Sequence, residues 1–274
     1  MPDIPTETNN EAPPSTSRLR DLLVPCFLAL FIVAIHSPAL THEFAVTDAY
    51  NTLDMAQRDA LRLLDNGITI TGRPITSLFV VPAFRLVENV ADLSYLRFGA
   101  LVFAVGFFLL LYRFLRRLRI PSIEAGCFSL IIGLTPAFCN YVTWTVQWPY
   151  PLGAALALLA GWITFQAFLS QSGKARPLLL AGVILFCVPM IYQMLPGYFM
   201  LPVVALCLFR ECDDRRLRAW VLSLVFYFGC MVAYVVAFKI YDWTIAQEAW
   251  PEHAARNQIT FDLLAKAGFL SREI

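Results

Sequence analysis

Charged residues and histidine are scarce in this sequence. Of its 274 residues only 15% are charged and 58% are hydrophobic, with a formal net charge of +1. So little charge cannot cover the surface of a soluble domain of this length, and the composition predicts a polytopic membrane protein. A net charge near zero also argues against nucleic acid as the main partner.

The sequence also lacks the spacing patterns of metal sites and of disulfide frameworks. None of its three histidines pairs with another histidine or a carboxylate at ligand spacing, and its seven cysteines contain no Cys-x-x-Cys pair. A cysteine in an apolar run usually serves as a small core residue. We therefore expect no metal site, no disulfide and no cofactor. The cysteines in apolar runs are Cys26, Cys127, Cys139, Cys187, Cys207 and Cys230.

Apolar runs predict an all-α, polytopic transmembrane helical bundle with about seven spans. The first run has about twenty residues, which matches a hydrocarbon core about 30 Å thick. A cleaved signal peptide is the alternative for this run, but its apolar part is long and the segment before it is not basic from its start. The predicted single spans are Leu22–Leu40, Leu96–Leu115, Ile123–Tyr141, Leu152–Leu169 and Trp220–Ile240.

The remaining run, Leu178–Phe209, is too long for one crossing. A continuous helix of this length would measure about 48 Å, well beyond the hydrocarbon core. The run also contains Pro189, Pro196 and Pro202, which disfavour an unbroken helix. We predict a hairpin of two short crossings with its tip at Gln193–Gly197.

Basic residues concentrate in the short segments on one side of the predicted spans. Under the positive-inside rule this side is the cytoplasm, which also receives the N-terminus. The large loop 41–92 and the tail 241–274 then lie outside, and the tail is interpreted as the start of a truncated region. Residues 1–17, rich in Pro, Thr, Ser and Asn, are predicted to form a disordered cytoplasmic tail before a transmembrane domain at 18–240. The basic residues of the inside segments are Arg18, Arg20, Arg113, Arg116, Arg117, Arg119, Lys174, Arg176, Arg210, Arg215, Arg216 and Arg218.

The loop 41–92 is polar for this chain and is predicted to contain two interfacial helices. The first, Leu53–Asp65, carries apolar and charged residues on opposite faces, as a helix lying on a membrane surface does. Asn51 is its predicted N-cap and Asn66–Gly67 its end. The second, Ile75–Phe84, is too short to cross. The apolar face of the first helix comprises Leu53, Ala56, Ala60 and Leu64, and its charged face Asp54, Arg58, Asp59, Arg62 and Asp65.

Four polar residues near the outer surface are candidates for chemistry, and each has a structural alternative. Asp48 follows the first span closely and serves either as a helix cap or as a catalytic group. Arg73, in the TGRP turn, presents a planar fork that matches the phosphate of a substrate or of an anionic lipid. Arg97 begins the second span and could equally reach the interface by snorkelling. Gln193, at the hairpin tip, either binds substrate or satisfies backbone groups released by the helix break.

Aromatic residues cluster on the predicted outer face, between the third and fourth spans. Their rings form either an interfacial belt or one wall of a lipid or sugar site, since aromatic rings stack on the apolar faces of sugars. These residues are Tyr141, Trp144, Trp148 and Tyr150.

In their order along the chain, these features resemble the GT-C superfamily of membrane glycosyltransferases, which use a polyprenyl-phosphate sugar as donor. Within that superfamily the sequence is most similar to the glucosyltransferases that decorate bacterial O-antigen. The resemblance rests on Asp48 in TDAY, on Gly72–Arg73–Pro74 in TGRP and on Tyr192–Gln193 in the broken hairpin. Two features depart from the family pattern. Asp48 is followed by Ala49 instead of a second acid, and the chain is shorter than usual members.

The resemblance implies an enzyme of the bacterial inner membrane that transfers a sugar from a polyprenyl-phosphate donor to a cell-surface glycan or glycolipid acceptor. It implies Asp48 as the base for the acceptor hydroxyl and Arg73 as the cation beside the departing phosphate. A lipid-linked donor is consistent with the lack of a Gly-rich phosphate loop and of a DxD motif. The other residues expected to bind substrate are Arg85, Arg97, Trp148, Tyr192 and Gln193.

The alternative function is that of a non-catalytic multi-pass protein, such as a lipid or glycan transporter or an assembly subunit. An ion-coupled transporter usually places charges near the bilayer midplane, and the central parts of the predicted spans carry almost none. An assembly subunit stays compatible with the sequence. Should Asp48 be structural, the next candidates for the base are Glu43, Asp54 and Asp59.

Overall fold

The computed structural model of the chain is built from helices. It describes residues 14–42, 47–69, 73–170, 174–202, 204–205, 214–241 and 244, and no strand occurs among them. The predicted all-α class is therefore confirmed. The helices are α1 (Pro14–Thr41), α2 (Thr47–Arg58), α3 (Ala60–Thr69), α4 (Pro74–Arg85), α5 (Leu93–Arg117), α6 (Ser122–Gly133), α7 (Pro136–Thr143), α8 (Tyr150–Leu169), α9 (Ala175–Cys187) and α10 (Asp214–Tyr241).

Four segments of the described chain are long and apolar enough to cross a membrane, which identifies a membrane protein. They are Leu22–Thr41 in α1, Leu93–Arg117, Thr145–Leu169 and Asp214–Tyr241. The bent pair α6–α7 makes a fifth if the two helices form one span. The prediction of about seven spans also counted two short crossings in the hairpin. The first of these corresponds to α9 and the turn after it, an apolar helical segment that is shorter than a usual membrane span.

The predicted third span is broken. Helices α6 and α7 meet at an angle of 66° across Leu134 and Thr135. Pro136 opens α7, and because the residue before a proline avoids the helical region, Thr135 is extended with φ −65° and ψ 140°. The proline therefore ends one helix and starts the next.

The predicted hairpin is broken where its prolines lie. Helix α9 ends at Cys187, and two 3₁₀ segments follow, Val188–Met190 and Leu195–Met200. A continuous helix through Pro196 is thus excluded, as the hairpin prediction requires. Part of the predicted second crossing, residue 203 and residues 206–209, lies outside the described residues.

The first helix of the loop 41–92 differs from its prediction at its start, its middle and its end, because α3 continues through Asn66–Gly67 to Thr69. It begins at Thr47, so Asn51 lies within α2 and cannot be its N-cap. It is also divided at Asp59, whose side-chain Oδ1 accepts a hydrogen bond from the Arg62 N–H at 3.1 Å. An aspartate that bonds the N–H three residues on is an N-cap, so Asp59 starts α3 instead of continuing α2.

The amphipathic character of α2 agrees with its prediction. Ala49, Leu53 and Ala56 are buried in a cluster with Val80 and Phe84 of α4. On the opposite face, Arg58 Nε pairs with Asp54 Oδ1 at 2.7 Å. Helix α2 therefore lies on α4 and presents its charges outward.

The helix ends define two ends of the bundle. Arg215, near the start of α10, donates to the carbonyl of Leu169 at the end of α8 over 2.7 Å. Leu118, just after α5, packs in the same place. We call this the basic end, because the predicted inside arginines of α5 and α10 gather there. At the other end, Arg97 near the start of α5 donates to the Ala39 carbonyl near the end of α1.

Helix α8 is the centre of the bundle and packs closely on the hairpin. A Cβ atom placed on Gly161 would lie 2.6 Å from the backbone oxygen of Phe199. Only a residue without a side chain permits this approach of helix and 3₁₀ segment. Large apolar side chains on α1 and α10, such as Phe27, Leu30, Val225 and Phe228, face outward.

Several predictions fall on residues that the structure does not describe. These are most of the tail 1–17, of which residues 14–17 begin α1, the base candidate Glu43, and all of the tail 241–274 except Tyr241 and Thr244.

Candidate functional site

Arg73 stands at the amino-terminal end of α4, where the chain is stiff. It occupies the N-cap position and Pro74 the first helical turn. Its carbonyl accepts hydrogen bonds from the Ser77 N–H at 3.1 Å and the Ser77 hydroxyl at 3.2 Å. The positive end of the helix dipole adds to the charge of the guanidinium, so this position favours an anion.

Two side chains from distant segments bond the Arg73 guanidinium. Its Nε donates to Gln193 Oε1 at 3.1 Å, and its Nη1 donates to the Tyr150 hydroxyl at 3.2 Å. Its Cζ also lies 4.6 Å from the centre of the Tyr192 ring. We call these four residues the Arg73 cradle.

The cradle leaves part of the guanidinium available to a ligand. A guanidinium carries five N–H donors, and two of those of Arg73 are used by Tyr150 and Gln193. The other three, including both on Nη2, bond no described residue. They suffice for a bidentate contact with a phosphate, the geometry in which arginine binds that group best.

The rings of the cradle are held by packing. Tyr150 and Tyr192 stack with their centroids 4.7 Å apart, and Tyr141 meets Tyr150 edge to face at 5.5 Å. Thr76 anchors the neighbouring backbone through a hydrogen bond from its hydroxyl to the Ile191 carbonyl. Tyr150 is buried, so its hydroxyl is fixed where Arg73 needs an acceptor. The loop 41–92 and the hairpin tip are thus joined by hydrogen bonds and ring packing.

An apolar cavity of about 220 Å³ begins next to the cradle, between α4, α9 and α10. Pro74, the neighbour of Arg73, forms one wall, and Tyr234 on another wall interacts with Gln193 and with the Arg73 charge. A second, more open groove of about 410 Å³ continues along α9 and α10 and shares Phe186 with the first. The remaining lining residues of the first cavity are Met190, Ala237, Phe238 and Tyr241.

Asp48 lies apart from these bonds. It is exposed in the first turn of α2 and makes no hydrogen bond or ion pair with a described residue. Helix α2 packs on α4, which starts after Arg73, and on the 3₁₀ turn Thr145–Gln147, three residues before Tyr150. Asp48 is therefore carried by a helix that packs on α4 and on the turn before α8, and it does not contact the cradle.

Arg97 serves a different part of the structure. It is 1% exposed, and its Nη1 donates to the carbonyls of Ala39 and His42 at 2.8 and 3.0 Å. Carbonyls at the end of a helix lack partners within it, and a cation there also complements the helix dipole. Arg97 thus closes the end of α1, from which the chain continues towards Asp48.

Arg85 and Trp148 also lie away from the guanidinium of Arg73. Arg85 is exposed at the opposite end of α4, about 18 Å along the axis at 1.5 Å per residue. The Trp148 ring packs between Phe79, at 5.8 Å, and Phe103, at 6.0 Å. Of the predicted substrate-binding residues, the structure brings together Arg73, Tyr192 and Gln193.

Two residues of this site, Tyr150 and Tyr234, were not identified from the sequence as part of it. Tyr150 was assigned only to the aromatic cluster, and Tyr234 was assigned to a span without further role. A tyrosine hydroxyl within an apolar segment usually needs a partner when buried, and this was the available signal for both.

Comparison of the chain with protein-family models, with curated proteins and with solved structures gives no match. In the part of the chain that is described, no three metal-ligating side chains come together.

Proposed function

We propose that this protein is a membrane glycosyltransferase that takes its sugar from a polyprenyl-phosphate donor. The observation that carries the proposal is the Arg73 cradle at the mouth of the apolar cavity. A ligand that suits both must combine a phosphate with a long apolar chain. Three N–H groups of Arg73 would bind the phosphate, and the cavity between α9 and α10 would hold the chain.

In this proposal the acceptor hydroxyl attacks the anomeric carbon, and the bond from that carbon to the phosphate oxygen breaks. Polyprenyl phosphate leaves with the bonding electrons, and Arg73 stabilises its charge. Asp48 takes the proton of the hydroxyl. The acceptor is a cell-surface glycan or a glycolipid, and the reaction takes place at the outer face of a bacterial inner membrane with the N-terminus in the cytoplasm.

A second candidate is a subunit that binds a lipid phosphate without catalysis. Among the described residues, the side chains that contact Arg73 are two tyrosines and a glutamine, and the lack of an acid among them favours this candidate. Both candidates need the same cradle, so only the transfer step separates them.

The test is reconstitution of the full chain in vesicles with polyprenyl-phosphate glucose and a membrane glycan extract. Transfer of glucose to the extract, lost in Asp48→Asn while polyprenyl phosphate still binds, is expected for the enzyme. Binding that depends on Arg73 without any transfer would establish the non-catalytic subunit. Failure of polyprenyl phosphate to bind would refute both.

A further inference from the structure

A pair of cations lies near the end of α5 at the basic end, away from the cradle. Arg113 and Arg117 are one helical turn apart and exposed on the same face of α5. Neither bonds or pairs with a described residue, in contrast to Arg116, whose Nη1 donates to the Ile120 carbonyl at 2.8 Å. Like charges four residues apart destabilise a helix, so this pair favours a bound anion.

A cavity of about 200 Å³ lies beside these two arginines, between α5 and α8. Apart from the two arginines its walls are mostly apolar and include Leu110, Leu158 and Leu159. The arginines therefore line a cavity whose remaining surface suits a hydrocarbon chain.

Trp162 of α8 orients one of the two cations. The Cζ of Arg117 lies 5.3 Å from the centre of the Trp162 ring. A guanidinium over an aromatic face keeps the N–H groups at its edge available for other bonds. Together with Arg113, it presents a pair of donors near the end of the apolar segment Leu93–Arg117, where a spanning helix meets the lipid headgroups.

We propose that this cavity binds the phosphate group of an anionic phospholipid. Arg113 and Arg117 bond the phosphate oxygens, and an acyl chain lies against the leucines of α5 and α8. The lipid needs a net negative charge to neutralise the two arginines, which a zwitterionic headgroup does not supply. Basic pockets between helices at a membrane surface are suited to such headgroups. The site is separate from the Arg73 cradle and does not depend on the glycosyl transfer proposed above.

The experiment is native mass spectrometry of the purified full chain with phosphatidylglycerol or phosphatidylcholine. Each arginine near an anionic lipid contributes about fivefold to affinity, so Arg113→Gln with Arg117→Gln is expected to weaken phosphatidylglycerol binding about 25-fold. Arg58→Gln, which removes an exposed arginine elsewhere, is the matched control and should change nothing. Phosphatidylcholine should bind weakly and equally to all three proteins.

Two further measurements distinguish a lipid phosphate from free phosphate and distinguish loss of the site from misfolding. Leu159→Trp fills the cavity with both arginines kept, and it should also release phosphatidylglycerol. Inorganic phosphate at millimolar concentration should not displace the lipid. Full displacement would show a site for free phosphate and overturn the lipid assignment. Unchanged phosphatidylglycerol binding in both the double variant and Leu159→Trp would overturn the site itself.

Discussion

The Nε of Arg73 donates to Gln193 Oε1 at 3.1 Å, although 120 residues separate the two in sequence. This hydrogen bond joins the loop 41–92 to the tip of the broken hairpin. Because Tyr150 and Tyr192 contact the same guanidinium, its position is fixed by two separate segments, the start of α8 and the hairpin tip. A cation fixed before the ligand arrives costs little reorganisation, which is the property that phosphate recognition and leaving-group stabilisation share.

Arg73→Lys tests the planar set of N–H donors of the guanidinium separately from its charge. Lysine keeps the charge but cannot bond Tyr150, Gln193 and a phosphate together. We expect affinity for polyprenyl phosphate to fall about 10- to 100-fold, because hydrogen bonds to charged groups contribute about 1.5–3 kcal/mol. Titration of the lipid against purified protein measures this. Arg85→Lys, at the far end of α4, should leave the affinity unchanged, and an equal loss in both variants would contradict the cradle.

A pair of tyrosine variants separates the ring contact from the hydroxyl contact. The Tyr192 hydroxyl bonds no described residue, so Tyr192→Phe keeps the cation–π contact and should keep the Michaelis constant for the donor. Tyr150→Phe removes the acceptor at Nη1 of Arg73 and should raise that constant at least several-fold. Steady-state transfer kinetics decide between them. The reverse order of effects would show that the hydroxyl of Tyr192, and not that of Tyr150, contributes to donor binding.

The helices of this protein were predictable because the signals for them are local. Apolar run length gave α1, α5, α8 and α10, and the spacing of small and charged residues gave the buried face of α2. The break in α6–α7 had a local signal too, since Thr135–Pro136 reads as a helix boundary. The start of α3 also had a local signal, because aspartate is a common N-cap and Asp59 accepts a hydrogen bond from the Arg62 N–H. The charge of Asp59 fitted the polar face of one longer helix equally well.

The cradle was only partly predictable, because it depends on contacts between distant segments. The assignment of Arg73, Tyr192 and Gln193 to substrate binding followed from a family resemblance, and no spacing rule predicted their contact. Tyr150 and Tyr234 reach them because α8 and α10 pack beside the hairpin, which no local pattern encodes. For Arg97 the sequence indicated the helix end correctly, but not that α1 supplies its carbonyl partners.

Two glycine variants test the packing of α8 on the hairpin. Gly161→Ala places a methyl group 2.6 Å from the backbone oxygen of Phe199, which cannot move aside as a side chain would. We expect a loss of about 1–3 kcal/mol of stability and a melting temperature several degrees lower in detergent. Gly106→Ala, where a Cβ meets nothing within 4 Å, is the control and should be neutral or stabilising. Equal melting temperatures would refute the close approach.

Cysteine labelling tests the two ends of the bundle. Arg218→Cys lies in the first turns of α10 at the basic end, and Asn89→Cys lies just before α5 at the other end. In a background without other cysteines, a membrane-impermeant maleimide should reach the two positions from opposite sides. Reaction from the same side would contradict the arrangement of α5 and α10, and the side that labels Arg218→Cys fixes the orientation.

Asp48→Asn separates a catalytic base from a structural acid. Asp48 lies in the first turn of α2, where its charge interacts favourably with the helix dipole by about 0.3–1 kcal/mol. Asparagine loses that charge and also the ability to accept a proton at neutral pH. A base should therefore show a fall in transfer of about 10²–10⁴-fold with nearly unchanged protein level.

Glu124→Gln is the matched control, since Glu124 is also an exposed acid in the first turn of a helix, α6. It should lose a similar small stability and no activity. Transfer within about twofold of the parent in Asp48→Asn would make Asp48 structural, and Asp54→Asn and Asp59→Asn would then be assayed in the same way.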